Sequence, residues 1–293
     1  MALSVREKPL LRELTTLGLG GTALAEAVVR AESDLDELSG FFARSGGRPF
    51  VLGGGSNILA LDEDSDLVLV SVRNADLPEA PAGNGATLVR AGAGLPLPRL
   101  LKFCEETGLS GLEPLAGIPG RVGGAVAMNA GSYGAEMKDL LARVRLWTPD
   151  RGLFWVEARD CVFGYRHFEA PSGIGRHLVW EAEFRLACAD PSAVRAKARE
   201  IHERKKATQP VNARSAGCVF KNPPGKSAGM LLDQAGFKGR RVGNMAFSEL
   251  HANFLVNLGG GRSAEALELL DTARATVLDR FGERLETEVI ILS

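Results

Sequence analysis

Gly117-Ile118-Pro119-Gly120-Arg121-Val122-Gly123-Gly124-Ala125-Val126-Ala127-Met128-Asn129-Ala130-Gly131 carries almost no side-chain bulk. Such a run cannot fill a core by itself, so it must lie close against something else, either a second stretch of backbone or an elongated ligand. A second block, Gly53-Gly54-Gly55-Ser56-Asn57, follows directly on the short apolar segment Phe50-Val51-Leu52. Glycine permits positive φ, which lets successive amides turn inward around phosphate oxygens, and Ser56 and Asn57 add further donors. This is not the G-x-G-x-x-G fingerprint, whose spacing and following helix are both missing.

Alone, a triple glycine is often only a turn. Two separated small-residue surfaces plus a phosphate-type loop suit a long cofactor, and FAD fits better than a mononucleotide. Gly53, Gly54, Gly55, Ser56, Asn57, Ile118, Pro119, Gly120, Gly123 and Gly124 are therefore the expected cofactor contacts. Tight packing of backbone on backbone is the competing reading of the same residues.

Around these blocks strand and helix patterns alternate. Residues 25–29 read as a strand, Ser33 offers an N-cap for a helix through Leu35, Leu38, Phe41 and Phe42, and Gly46-Gly47 ends it. With residues 50–52 and the strand 67–72 this makes a β-α-β unit. Leu97, Leu100, Leu101 and Cys104 fall at i, i+3, i+4 and i+7, with Gly108 at the C-terminal cap, so Cys104 should face the core and be inert. Residues 144–147 and 153–157 predict a hairpin, and 179–186 a further strand. Asp190-Pro191 opens a helix that ends in Arg204-Lys205-Lys206. Beyond it Ser227 and Ser263 are placed to cap two helices, residues 253–256 read as a strand, and 285–292 as the last strand. The architecture predicted is α+β.

The chain has 293 residues, enough for two or three compact units with ample core. Its 35 basic and 36 acidic residues nearly balance, which gives no reason to expect a nucleic acid or an anionic membrane as partner. The first residues carry charges and a proline where a signal peptide needs an apolar stretch, and no later run approaches a membrane span, so a cytoplasmic protein is expected. The four cysteines are widely separated and the four histidines do not cluster with them, so neither a disulfide framework nor a metal site is expected. The oligomeric state is left open, and a monomer is compatible with the sequence.

One further stretch concentrates chemistry. Asn212 to Pro223 reads Asn-Ala-Arg-Ser-Ala-Gly-Cys-Val-Phe-Lys-Asn-Pro, with one thiol, one ammonium and two amides around a small-residue turn. The plain reading is a glycine-containing turn entering a short strand, with Cys218 as a small buried apolar group.

Taken together, Gly53 to Leu59, Gly117 to Gly134, Gly164-Tyr165-Arg166, Ser215 to Pro223, His251-Ala252-Asn253-Phe254-Leu255-Val256-Asn257 and Leu285-Glu286-Thr287-Glu288-Val289 resemble, in order, the motifs of the UDP-N-acetylenolpyruvoylglucosamine reductases, the MurB family. The resemblance covers almost the whole chain. It implies a two-subdomain FAD-binding domain of the vanillyl-alcohol-oxidase type plus a C-terminal α+β substrate-binding domain. The expected limits are 1–206 for the flavin domain, with a subdomain boundary near 75–85 and the final strand 285–293 returning to it, and 207–284 for the substrate domain. It implies NADPH as reductant, a UDP-sugar carrying an enolpyruvyl group as substrate, and a place in peptidoglycan precursor synthesis.

The resemblance also implies roles. Arg166 matches the arginine that stabilises the enolate-like charge, a task suited to a planar guanidinium that stays protonated. Glu288 matches a second catalytic group, a carboxyl that helps only if protonated or sharing a proton, with Glu286 as the near alternative. Cys218 stands where the family usually has serine, the proton donor to the substrate carbon. A free thiol, with an ordinary pKa of about 8.5, is a stronger acid than a hydroxyl and can still donate, unless nearby Lys221 lowers it too far. Lys206, Asn222 and Asn253 match substrate contacts. The short link between Arg166 and the strand near residue 179 implies the shorter branch of the family, which lacks a tyrosine-bearing insertion over the substrate. Two other readings stay open: another flavin oxidase of the same fold, and a non-catalytic flavin or sugar-nucleotide binding protein.

Overall fold

A computed structural model describes residues 3–78 and 86–293. Of these, one compact unit takes the residues within Met1–Glu7, Ala25–Gly54 and Leu67–Arg204, and a second takes Lys8–Leu24, Gly55–Asp66 and Lys205–Ser293. Segments 8–24 and 55–66, expected in the first domain, thus group with the C-terminal part. The reason is burial: Leu17, Leu19 and Leu59 share a core with Phe220 and Leu255, and apolar burial outweighs nearness in sequence. The expected boundary near 75–85 falls mostly on residues outside the described ones.

The first unit builds two sheets on one continuous core. In one, the strand order is Ser4–Glu7, Ala25–Val29, Leu67–Val72, Arg48–Val51, with the first pair antiparallel and the others parallel. Helix Glu32–Ser45 buries Leu35 and Leu38 with Val29, Val70 and Val72. Its start differs from expectation. Asp34, rather than Ser33, is the capping side chain, accepting from Arg30 N at 2.7 Å and Ala31 N at 3.0 Å. An ionised carboxylate accepts more strongly than a hydroxyl and complements the helix dipole.

The other sheet is antiparallel, in the order Gly152–Glu157, Leu141–Thr148, Leu178–Cys188, Ala86–Gly92. Helix Leu97–Thr107 buries Leu97, Leu100, Leu101 and Cys104 and closes on left-handed Gly108, as the periodicity predicts. Burial pushes the Cys104 thiol up to about 12, so it is inert.

The second unit holds an antiparallel sheet ordered Ser215–Cys218, Phe254–Asn257, Met245–Phe247, Arg241–Val242. Ser227 caps helix Ala228–Gln234, its Oγ accepting from Met230 N at 3.3 Å. Ser263 does not cap the helix Ser263–Phe281 that it begins. Its hydroxyl accepts from Asp62 N at 3.1 Å, while the Glu265 carboxylate takes Arg262 N at 3.2 Å. The last strand is shorter than the expected 285–292, for only Ile290–Leu292 pairs regularly, and it groups with the second unit instead of returning to the first because its parallel partner Ile58–Ala60 lies there too.

Helix Pro191–Thr208 begins at Asp190, whose Oδ1 accepts from Ser192 N at 2.7 Å. Near its end Lys205 is only 3% exposed, and burial pushes its ammonium down from 10.5 to about 8. Between those values the unfolded chain holds a proton that the folded chain has lost, so stability rises with pH there, and below pH 8 the buried charge carries its full cost. Lys205→Met has no such proton to lose and is expected to lack that rise, so its stability relative to the parent falls by about 1–3 kcal/mol between pH 7 and pH 10. Denaturant unfolding of both proteins at the two pH values measures this.

Candidate functional site

In the first unit the two glycine blocks meet. A Cβ on Gly54 would stand 2.8 Å from Gly120 Cα, and one on Gly53 would touch Gly124 Cα at 3.8 Å. At Gly123 a Cβ would come 2.8 Å from Ala93 Cβ, whereas at Gly124 it would meet nothing within 4 Å. Backbone packing thus explains Gly54 and Gly123, while Gly124 faces open space that an elongated group can use. Ile118 is half-buried against the core and Pro119 is exposed.

Helix Val122–Ala127 starts from Arg121, whose Nη1 donates to Gly94 O. Arg121 Nε is buried without a hydrogen-bond partner, and burial lowers the guanidinium pKa. An orphaned buried donor beside a glycine cradle fits an oxygen-rich ligand such as the diphosphate of FAD.

Arg166 occupies the tip of a hairpin whose strands are Val162–Gly164 and His167–Glu169, in left-handed backbone with φ 56°. Its Nη2 donates to Gly131 O at 3.4 Å. Asn129, fully buried and itself left-handed at φ 39°, donates Nδ2 to Gly164 O and to Glu136 Oε2, both at 3.0 Å. Its Oδ1 accepts from Lys138 N, also at 3.0 Å. The Lys138 ammonium lies 2.7 Å from Glu136 Oε2. Hydrogen bonding to Lys138 leads the influences that hold the Glu136 carboxyl below its ordinary range, with Asn129 and the charge on Arg166 contributing. Left-handed non-glycine residues at one locus are costly, and persist where the surroundings over-determine them.

In the second unit Gly55, at φ 64°, is a packing glycine: a Cβ there would collide with Leu14 O, and its carbonyl accepts from Thr16 N at 3.1 Å. Ser56 is half-buried beside it. Asn57 turns its amide to the chain end, donating Nδ2 to Glu288 O at 3.1 Å.

Cys218 ends the strand Ser215–Cys218, half-buried after a register shift between Ser215↔Val256 and Cys218↔Phe254 that accommodates left-handed Gly217. Such a bulge re-aims the residue that follows it. Next to it Val219 O accepts from Glu288 N at 2.8 Å, and Lys221 N donates to Glu286 O at 2.9 Å. Cys218 and Glu288 are thereby carried on two adjacent, irregularly paired segments. Glu288 is half-buried, while Glu286 is exposed and paired through Oε2 with Lys221 Nζ at 3.3 Å. That pairing gives the Lys221 ammonium a carboxylate of its own.

The expected substrate contacts fare differently. Asn253 is 2% exposed, and its side chain both accepts from Phe220 N at 3.0 Å and donates to Phe220 O at 2.8 Å, so its amide clamps backbone instead of facing a ligand. Asn222 is exposed, its Oδ1 accepting from Ala228 N at 3.0 Å at a helix start. Lys206 is exposed, and the buried lysine at that helix end is Lys205. Sequence reasoning missed Asn129, Glu136 and Lys138. The available signal was a single amide closing a run otherwise made of small residues. Among the described residues there is no metal-ligand cluster and no helix long and apolar enough to cross a membrane.

This fold with its glycine cradle defines a flavoprotein that carries a separate C-terminal domain. An FAD-binding-domain model matches residues 23–156, and the model for the UDP-N-acetylenolpyruvoylglucosamine reductase C-terminal domain matches 209–292. UDP-N-acetylenolpyruvoylglucosamine reductase of Nitratidesulfovibrio vulgaris is 52% identical over 99% of both chains, and that of Oleidesulfovibrio alaskensis 48% identical over 97% and 96%. The crystal structure of the same-named reductase (MurB) of Thermus caldophilus superposes with a TM-score of 0.83 at 35% identity, covering 99% of this chain and 100% of that one. The chain belongs to the UDP-N-acetylenolpyruvoylglucosamine reductase family.

The open face of Gly124 yields a direct test of the cofactor cradle. A Cβ added at Gly124 meets no atom beyond its own helix within 4 Å, so the Gly124→Val apoprotein should keep its melting temperature. FAD retention should fall about tenfold or more, because the added methyls occupy the space left for the ligand. Flavin absorbance per protein after gel filtration, together with apoprotein melting curves, measures both.

Proposed function

We propose that this chain reduces the enolpyruvyl group of UDP-N-acetylglucosamine enolpyruvate to give UDP-N-acetylmuramate, with NADPH as reductant and FAD as carrier, as a cytoplasmic step of peptidoglycan precursor synthesis. The observation that carries this reading is similarity to such a reductase over 99% of the chain, which also holds an arginine, a thiol and a carboxyl at Arg166, Cys218 and Glu288. When bound, FAD would supply the hydride chemistry that links NADPH to the terminal methylene carbon of the substrate. The chain's own residues handle charge and the proton.

Hydride addition at the methylene carbon leaves an electron pair on the neighbouring carbon and its carboxylate. Arg166 meets that charge with a planar fork able to bind both carboxylate oxygens. Cys218 delivers the proton from Sγ to the neighbouring carbon, and the resulting thiolate recovers a proton from solvent. Glu288 is the second catalytic group acting on the same charge. The open face at Gly124 would take the flavin, the packed pair Gly54 and Gly120 holds the cradle's backbone in place, and Asn253 serves by holding the backbone next to Cys218. Asn222 and Lys206, both exposed, bind the nucleotide part of the substrate.

Purified holoenzyme should be yellow, bleach with NADPH and recover its colour when UDP-N-acetylenolpyruvoylglucosamine is added. A colourless protein that takes up no FAD overturns the reading. Recovery of colour that is indifferent to the substrate leaves only a flavin-binding protein.

Cys218→Ser should keep most of the activity, whereas Cys218→Ala should lose about 100-fold or more in substrate-driven reoxidation while flavin reduction by NADPH survives. Equal loss of both half-reactions would contradict a proton-donor role. Arg166→Lys should slow reoxidation by roughly 10- to 100-fold, because an ammonium cannot reproduce the fork. Rapid-mixing absorbance with each substrate separately resolves the two steps.

A further inference from the structure

Two hairpins of the first unit converge on Asn129. One, formed by Gly131–Ser132 and Ala135–Glu136, carries Glu136, and the other carries Arg166 at its tip. The Asn129 amide reaches both, through Glu136 Oε2 and through Gly164 O, two residues before Arg166. A return link exists as well, since Arg166 Nη2 donates to Gly131 O in the first hairpin. With Nδ2 used twice and Oδ1 fixed on Lys138 N, the amide has one orientation that satisfies all three partners.

That arrangement has a consequence for catalysis. A bidentate clamp works only when the fork is aimed, and an error of about 1 Å in placing such a group can cost 100-fold in rate. Arg166 is the left-handed second residue of a two-residue turn, and such a turn does not aim a long side chain by itself. A fixed carboxylate nearby does, by attraction that draws the guanidinium to one side before the substrate's own carboxylate arrives. Glu136 is such a group, held by Asn129 and Lys138 on the hairpin whose Gly131 O already accepts from Arg166 Nη2.

We propose that Glu136, oriented by Asn129, is a positioning residue that aims the Arg166 guanidinium at the substrate carboxylate. The proposal rests on the role given to Arg166 above.

Its test uses holoenzyme and rapid mixing, with Arg166→Lys as reference. For Glu136→Gln, flavin reduction by NADPH should stay within about twofold of the parent while reoxidation by UDP-N-acetylenolpyruvoylglucosamine slows about tenfold. Asn129→Asp should be slower still, because a second carboxylate then faces Glu136. The double variant Asn129→Asp/Glu136→Gln should recover at least about threefold over Asn129→Asp, since amide and carboxylate have exchanged places and can pair again. A merely structural role predicts the opposite, with both half-reactions falling together and the double variant worse than either single one. Glu136→Gln reoxidising within twofold of the parent while Arg166→Lys is impaired overturns this proposal alone. Arg166→Lys reoxidising at the parental rate overturns the role of Arg166 and this proposal with it.

Discussion

Gly54 and Gly120 approach so closely that no side chain fits between them, and much of the first unit's chemistry takes its position from that contact. The loop holding Gly120 is stitched to the segment before helix Leu97–Thr107 by Leu97 N to Gly120 O at 3.0 Å, Val122 N to Leu95 O at 2.9 Å and Gly123 N to Ala93 O at 2.9 Å. From this anchored start helix Val122–Ala127 runs for under two turns and delivers Asn129 in left-handed backbone. Asn129 then fixes the two hairpins that hold Glu136 and Arg166. A guanidinium in sequence position 166 therefore owes its place to glycines more than forty positions away, through a chain of backbone contacts that tolerates no Cβ.

The second unit uses a different device for the same end. Its thiol sits after a bulge, and the backbone just beyond it is gripped on one side by the Asn253 amide and on the other by the irregular segment that carries Glu288. Buried amides that satisfy backbone donors and acceptors are expensive to lose, which makes Asn253 a structural support of Cys218. Replacing the usual hydroxyl by a thiol asks little of this frame. The bulge and the clamp act on the backbone, and they hold either side chain.

Several elements could be read directly from the sequence because the forces that shape them are local. The 3.6-residue spacing of Leu97, Leu100, Leu101 and Cys104 and the glycine after it define one helix completely, and Ser227 caps another as its chemistry predicts. Capping was misread where a distant or stronger acceptor competed. The helix starts before Ser33, with Asp34 taking the amides of Arg30 and Ala31, and Asp62 engages Ser263 from two hundred residues away. For Asn253 the fold supplies backbone partners that the sequence does not reveal, since an amide motif looks alike whether it faces a ligand or a buried backbone. Asn129 was overlooked because its three partners are brought together only by turns that no spacing rule describes.

The sequence by itself determined the class of architecture, the two glycine blocks and the kinds of side chain present at 166, 218 and 288, since these depend on residue chemistry and short-range periodicity. Tertiary structure alone decided which glycines pack and which face open space, which carboxylate and which lysine are buried, and which amides orient their neighbours. Those are properties of contacts between distant segments. The same side chain acts as ligand, clamp or solvated surface according to what the fold places against it.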